Sequence, residues 1–271
     1  MAIKAGEVLR QKLNGRLHVI HITRYPAEMD WMSHEFREKY MSPELQDLLI
    51  SGMASMLHKQ VRTCEAECTH EVLFGSSFKV LTEAISRQGV DLLVMGYQGS
   101  GSHLFQMGSL TSKMIASSKV PLVVIKKHFQ VKKLAGLIDP VDPNEKIFEA
   151  CEELSFLLSA QPEFIAMLPN MSPDFWVPGF SLSAAEKIQL LARTRDLILE
   201  KLDSHLSAVI KVHFSESKNL ADDLSAVMAR EKIDLGVLSK HKRGTVEKFF
   251  IGSIARRLLD SFDGNLLLIS T

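Results

Sequence analysis

The sequence predicts an α/β protein built as two tandem, doubly wound parallel sheets. Three observations carry that expectation. First, residues 91–127 (DLLVMGYQGSGSHLFQMGSLTSKMIASSKVPLVVIKK) and residues 234–271 (DLGVLSKHKRGTVEKFFIGSIARRLLDSFDGNLLLIST) follow one order. Each runs acid, short apolar strand, polar loop, Gly-Ser, amphipathic helix, second apolar strand. Asp91 corresponds to Asp234 at an offset of 143 residues, and Gly108 to Gly252 and Leu122 to Leu266 at 144. The one-residue change falls in the loop, where length varies at little cost. Second, apolar strand runs alternate with helical patterns, which implies a parallel sheet with helices on both faces. Third, 271 residues suit two units, divided as 1–128 and 129–271. A repeat this long is not a solenoid, so each copy is expected to have its own core.

The second half reads clearly. Lys133–Asp139 is a short apolar strand ending in an acid, and a helix runs from Pro143 to about Ser159 with Ile147, Phe148, Cys151, Leu154 and Leu158 at helical spacing. Phe164–Leu168 is a strand, followed by a loop broken by Pro169, Pro173, Pro178 and Gly179. Ser183 caps a helix to about Leu202, and Glu186 completes a capping box. Then come strand 206–214, helix 219–232, strand 235–239, helix 252–262 and strand 266–270. The first half has a helix at Ala2–Leu13, a strand at Leu17–Thr23 and a long helical region from about Asp30 to Arg62. Strand 65–74, helix 77–88, strand 92–96, helix 109–118 and strand 122–126 follow.

The first half lacks a counterpart of the strand that ends in Asp139. In an open sheet of this kind the opening strand lies in the interior, beside the topological switch. Without it, two neighbours keep unpaired backbone groups, each costing about 1–3 kcal/mol if buried. The expectation is a truncated product with a start codon assigned too late. The rival is that a segment of another chain or domain fills the gap. The upstream DNA decides: no in-frame strand ending in Asp there would end the truncation idea.

Composition sets the class. The chain is 46% hydrophobic and 24% charged with a net charge of zero, so no global attraction to nucleic acid or acidic membrane is expected. Residues 1–128 hold 15 Lys and Arg against 12 Asp and Glu, the rest 17 against 20, an asymmetry that helps the halves dock. Cys64, Cys68 and Cys151 form neither a disulfide framework nor a zinc pattern and read as thiols in a reducing compartment. No signal peptide opens the sequence, and no apolar run approaches the roughly 20 residues of a membrane span. The expected location is the cytoplasm.

The loop after Met95 is the strongest local signal: Gly96-Tyr-Gln-Gly99-Ser-Gly101-Ser, then Gly108-Ser109 opening a helix. Glycines let backbone approach a ligand, and the helix aims free N–H groups and a positive dipole end at an anion. Ser109 adds a hydroxyl. Spacing alone leaves two readings open, an anion cradle or a turn that needs glycine only for its geometry. No Gly-Lys-Ser/Thr occurs, so the lysine-bearing triphosphate loop is absent.

Residues 91–127 resemble the universal stress protein family, whose loop is Gly-x2-Gly-x9-Gly-Ser/Thr between strands like DLLVMG and PLVVIK; here the middle spacing is one residue shorter. LHVIHIT at 17–23 is similar to the family's second strand, and Leu134–Ile269 follows the same order in a degenerate form. The resemblance implies two adenine nucleotide alpha hydrolase-like units, the first without its N-terminal strand. Members that bind ATP or AMP use a first-strand Asp near the adenosine, backbone around the second strand for the base and the glycine loop for the phosphates. Carried over, the first half offers Ile22, Met95, Gly96, Gly99, Gly108 and Ser109 but lacks the Asp. The second half has Asp139, Gly252 and Ser253, with Ser239 and Lys242 where the first two glycines belong. Side chains there narrow the cradle, while Lys240, Lys242 and Arg243 attract anions. Magnesium is expected only with ATP.

Other residues have ordinary readings. His18 and His21 point to opposite faces and form no metal pair. Asp139 is either a nucleotide contact or a strand-end cap, and Asp91 and Asp234 are turn residues. The Lys240–Arg243 run is a solvated loop without interleaved aromatics. Met53, Met56 and Leu57 read as helix core, and Trp176 as an exposed aromatic at a partner contact. No nucleophile elbow, Ser-His-Asp arrangement or metal cluster is visible, so no catalytic residue is assigned.

The functional expectation is a cytoplasmic stress-response module that binds adenine nucleotide. The alternatives are an interaction scaffold without nucleotide and a weak ATP hydrolase. Family domains often pair through their last strands, so Leu122–Lys126 and Leu266–Ser270 are expected to pair antiparallel within the chain, leaving room for a homodimer.

Overall fold

A computed structural model describes residues 1–23, 33, 39–62, 68–97, 109–140, 142–168, 182–201, 210–215, 217, 219–240 and 253–270. The first half contains α1 (Ala2–Leu13), β1 (Leu17–Thr23), α2 (Pro43–Val61), β2 (Cys68–Phe74), α3 (Ser77–Gln88), β3 (Leu93–Gly96), α4 (Ser109–Ser117) and β4 (Leu122–Ile125). The second contains β5 (Lys133–Ile138), α5 (Glu145–Leu158), β6 (Gln161–Leu168), α6 (Ala184–Lys201), β7 (Ile210–Phe214), α7 (Leu220–Arg230), β8 (Leu235–Lys240), α8 (Ser253–Ser261) and β9 (Asn265–Ser270).

Seven strands form one sheet in the order β3-β4-β9-β8-β5-β6-β7, and β1 and β2 form a separate parallel pair. Every pairing in the large sheet is parallel except β4 with β9, where Leu122, Val123 and Val124 lie opposite Leu268, Leu267 and Leu266. Continuous apolar runs such as LVVI and KLAGLI suit strands covered on both faces. One buried cluster joins α1 (Ala5, Leu9), α5 (Phe148, Cys151) and α6 (Ile198) to one face. The other joins α3 (Leu81), α4 (Met114, Ile115), α7 (Leu224, Met228) and α8 (Leu258, Leu259). The sheet is doubly wound.

Among the described residues the two halves differ in strand pairing around the position of β5. In the second half β5 is hydrogen-bonded on both sides, to β8 and to β6. In the first half the corresponding neighbours, β3 and β1, are not paired with each other. The consequence is visible in burial: β5 is buried from Leu134 to Ile138, whereas all of β1 is half-buried.

Local signals set the helix ends. Asn144 and Asn219 cap α5 and α7 by accepting from the N–H groups of Lys146 and Ala221. The expected capping box is present: Ser183 N–H donates to Glu186 at 2.8 Å and Glu186 N–H to Ser183 Oγ at 3.2 Å. Gly89 closes α3 at φ 60°, in the left-handed region that favours glycine. Gly136 is required by close approach, because a Cβ there would lie 2.7 Å from the Phe164 ring.

Three expectations need correction or resetting. The long helix from Asp30 does not run unbroken to Arg62: α2 starts at Pro43, with Ser42 extended at φ −59°, ψ 151° and accepting from Leu45 N–H. Proline excludes the helical conformation from the residue before it. Met56 is 58% exposed rather than core, while Leu57 is buried. That helix covers only the two-stranded β1–β2 pair, so a single stripe of it is buried. Asp234 does more than turn the chain, since its carboxylate accepts from the N–H groups of Lys132 and Lys133 and pins the entry to β5. Among the cysteines, Cys151 is a buried free thiol, Cys68 is half-buried, and Cys64 lies outside the described residues. Burial pushes the Cys151 thiol up to about 12. It is expected to resist thiol-labelling reagents at pH 8 until the protein unfolds, which labelling with and without urea followed by peptide mass mapping checks.

An ion network ties the amino ends of β5, β6 and β7. Glu163 accepts from Lys133 Nζ at 2.6 Å and Lys211 Nζ at 3.0 Å, and Lys211 also reaches Glu231 at 2.7 Å. Burial raises the Glu163 pKa, but the two lysine hydrogen bonds outweigh it and the net shift is downward. Glu231 is likewise lowered, chiefly by the hydrogen bond from Lys211. A lowered carboxylate pKa adds stability that is complete above the unfolded value of about 4.3 and is lost as pH falls through the folded value. Stability is therefore expected to drop below about pH 4, and Glu163→Gln to flatten that drop, in urea unfolding between pH 3 and 7.

Candidate functional site

Ligands of open α/β sheets bind beyond the carboxyl ends of the strands. The described candidates lie at strand ends or helix starts. Ile22 is the penultimate residue of β1, Met95 and Gly96 end β3, and Ser109 opens α4. Ile22 and Met95 pack against the same buried cluster, together with Leu110 of α4. In the second half Asp139 directly follows β5, half-buried, and Ser253 opens α8. Gly99, Gly108 and Gly252 lie outside the described residues, as do Trp176, Lys242 and Arg243.

The antiparallel junction decides how these groups combine. Because β4 and β9 run in opposite directions, β3 and β4 point their carboxyl ends to one edge of the sheet, and β5 and β8 point theirs to the other. Asp139 therefore sits at the opposite edge from Met95 and Gly96. It cannot stand in for the acid that the first half lacks.

The first turn of α4 carries no acidic residue. Gly96 is exposed, and a Cβ on it would make only an ordinary contact, 3.7 Å from Ala2 Cβ, so packing does not demand glycine there. α8 also has no acid in its first turn. Among the described residues no group of three His, Cys, Asp or Glu could hold a metal ion. His18 instead contacts Thr69 Oγ1 at 2.8 Å and Glu71 Oε1 at 3.1 Å, and Arg87 clamps Glu71 at 2.6 Å.

Sequence reading missed Tyr97. It follows Gly96 directly, and its N–H donates to Ile125 carbonyl oxygen at 2.8 Å. Its hydroxyl donates to Asp260 Oδ1 at 2.7 Å, on α8 of the other half. Lys126 Nζ lies 5.1 Å from the centre of the same ring and donates to the carbonyls of Leu259 and Phe262 at the end of α8. Asn265 completes the clasp, its Oδ1 accepting from Lys126 N–H at 2.9 Å and Lys127 N–H at 3.2 Å. Burial, then the Asp260 carboxylate, pushes the Tyr97 phenol up to about 12, so it stays a donor at any physiological pH. Burial lowers the Lys126 pKa, with Asp263 and Asp260 opposing. The only sequence signal was an aromatic residue inside Gly-x-x-Gly. Tyr97→Phe is expected to lower stability by about 1 kcal/mol, a charge-assisted bond discounted for partial exposure, in thermal unfolding followed by circular dichroism.

The fold defines a class: doubly wound α/β units of the adenine nucleotide alpha hydrolase-like kind. The Universal stress protein family model matches residues 2–126, which supports that family for the first half. Across the whole chain the fold is similar to that of a functionally unknown protein of Pseudomonas aeruginosa PAO1, with TM-score 0.67, 12% identity, and 99% of this chain and 86% of that one covered. It is also similar to a universal stress protein of Archaeoglobus fulgidus DSM 4304, with TM-score 0.62, 11% identity, and 99% and 93% covered. No curated protein matches the sequence.

Proposed function

We propose that this chain is a tandem universal stress protein, divided at about residue 128, whose first half binds ATP or AMP and reports it as a cytoplasmic stress-response module. The observation that carries the reading is the glycine loop, Gly96 to Gly108, set between parallel β3 and α4 within the segment that matches the family. In this reading Ile22 and Met95 flank the adenine. The N–H groups at Gly99, Gly108 and Ser109 take the phosphates, with magnesium entering only alongside ATP. The second half, with Asp139, Gly252 and Ser253 but with Ser239 and Lys242 in place of glycines, is the weaker cradle. Those two side chains favour a second reading, an interaction scaffold in which that half no longer takes nucleotide.

Titration of the full-length protein with ATP separates the readings. Saturable binding at millimolar or lower concentration, removed by Gly99→Val, supports the sensor. No binding supports the scaffold. Phosphate release above a heat-killed control supports a weak hydrolase.

A further inference from the structure

We propose that the outward face of α2 is an interface between two copies of this chain, which meet antiparallel about a twofold axis at Gly52. α2 packs on β1 and β2, and its buried residues are Leu57 and Val61. The opposite side of the helix carries Glu44, Leu45, Leu48, Gly52, Met56 and Lys59, all of them exposed. They succeed one another at the three- and four-residue spacing that lines up side chains along one helix face. Leu48 is 67% exposed, so with Met56 it lays an apolar stripe toward solvent. Ser51 and Ser55 beside the stripe donate their hydroxyls to the carbonyls of Leu48 and Ser51, each at 3.0 Å, and so turn their O–H groups into their own helix.

Two observations select a second copy as the occupant. The first is Gly52 itself. Glycine inside a helix weakens it. Gly52 has no positive φ, and a Cβ there would meet nothing within 4 Å. Neither the backbone nor the packing of one chain gives a reason for glycine at this position. The close approach of another helix does, because helix axes come nearest where no side chain stands between them. The second observation is self-complementarity. Leu48 and Met56 lie four residues to either side of Gly52, and Leu45 and Lys59 seven. An antiparallel copy turned about Gly52 therefore sets Leu48 on Met56 twice and brings Lys59 beside Leu45 and Glu44. A parallel copy would stack Glu44 on Glu44 and Lys59 on Lys59 with the helix dipoles aligned. The order acid, apolar, glycine, apolar, base thus matches its own reverse, as an isologous contact requires. The strand edges at β4 and β9 are already joined within the chain. The contact is one helix wide, smaller than a standard interface, so the dimer is weak and concentration-dependent. It holds whether or not the first half takes nucleotide.

Sedimentation equilibrium of the full-length protein from about 10 to 500 µM tests this, a range chosen for a small interface. The weight-average mass is expected to rise from one chain toward two. Gly52→Leu fills the axis and is expected to weaken association by about tenfold or more. Leucine is the better helix former, so the melting temperature of that variant is expected to stay the same or rise, which separates lost association from lost folding. Lys59→Glu places a carboxylate against Glu44 of the second copy at both ends of the contact and is expected to weaken it by about fivefold at low salt. The double variant Glu44→Lys with Lys59→Glu restores opposite charges across the axis and is expected to recover association. The proposal is overturned if the mass stays at one chain throughout, if Gly52→Leu associates as tightly as the parent, or if the double variant is no tighter than Lys59→Glu alone.

Discussion

Phe148→Ala is expected to lower the unfolding free energy by about 3–5 kcal/mol, the range for truncating a fully buried aromatic. Phe148 on α5 is completely buried and stacks on Phe164 of β6 with ring centres 4.4 Å apart. The Phe164 ring also explains why Gly136 of β5 carries no side chain, since a Cβ there would meet that ring and Ile147. Truncation removes the stack and leaves a cavity between helix and sheet that close packing cannot collapse. Phe156, on the same helix but 86% exposed, is the internal control, and Phe156→Ala is expected to change stability by less than about 0.5 kcal/mol. Urea unfolding followed by circular dichroism measures both. Equal effects would show that α5 does not pack as described.

Val124→Asp is expected to have a comparable or larger effect, about 4 kcal/mol or more. Val124 and Leu266 face each other across the only antiparallel pairing of the large sheet, and both are completely buried. A carboxylate placed there loses its hydration. The nearest cation in sequence, Lys126, is already committed to the carbonyls at the end of α8. A buried unpaired charge is among the most destabilising single changes, and the group escapes only by taking up a proton. Val124→Ala, which removes methyl groups without adding charge, is expected to cost about half as much. The contrast between the two in thermal unfolding separates desolvation of charge from loss of packing. Because this junction joins the halves into one sheet, the Asp variant is also expected to be cleaved faster between residues 126 and 133 by a dilute protease.

The parts of the fold legible in the sequence are those written locally. The continuous apolar runs of β4, β5 and β9 announce strands covered on both faces, and Asn144, Asn219 and the Ser183–Glu186 pair mark helix starts. The repeat offset then carries the order of elements from one half to the other, including the place where the first half differs. What depends on tertiary register was not legible. Met56 has the spacing of a core residue, yet α2 covers too narrow a sheet to bury it. The break at Ser42 was written in Pro43 and was overridden by the helical pattern on either side. Tyr97 touches Asp260, 163 residues away, through a contact that only the antiparallel junction creates. The same junction turns the two sets of strand ends to opposite edges, so Asp139 and Gly96 do not share a cleft. Of the candidate site, the strand ends and helix starts are placed by the fold. The assignment of Gly99, Gly108 and Gly252, which lie outside the described residues, rests on the resemblance of the loops to the universal stress protein motif.

The number of ATP molecules held at saturation tests the account most directly, by equilibrium dialysis of the full-length protein and of Gly99→Val and Ser253→Ala variants with unchanged melting temperatures. The account predicts one per chain, lost in Gly99→Val and kept in Ser253→Ala. No bound nucleotide, or one that survives Gly99→Val, would contradict it.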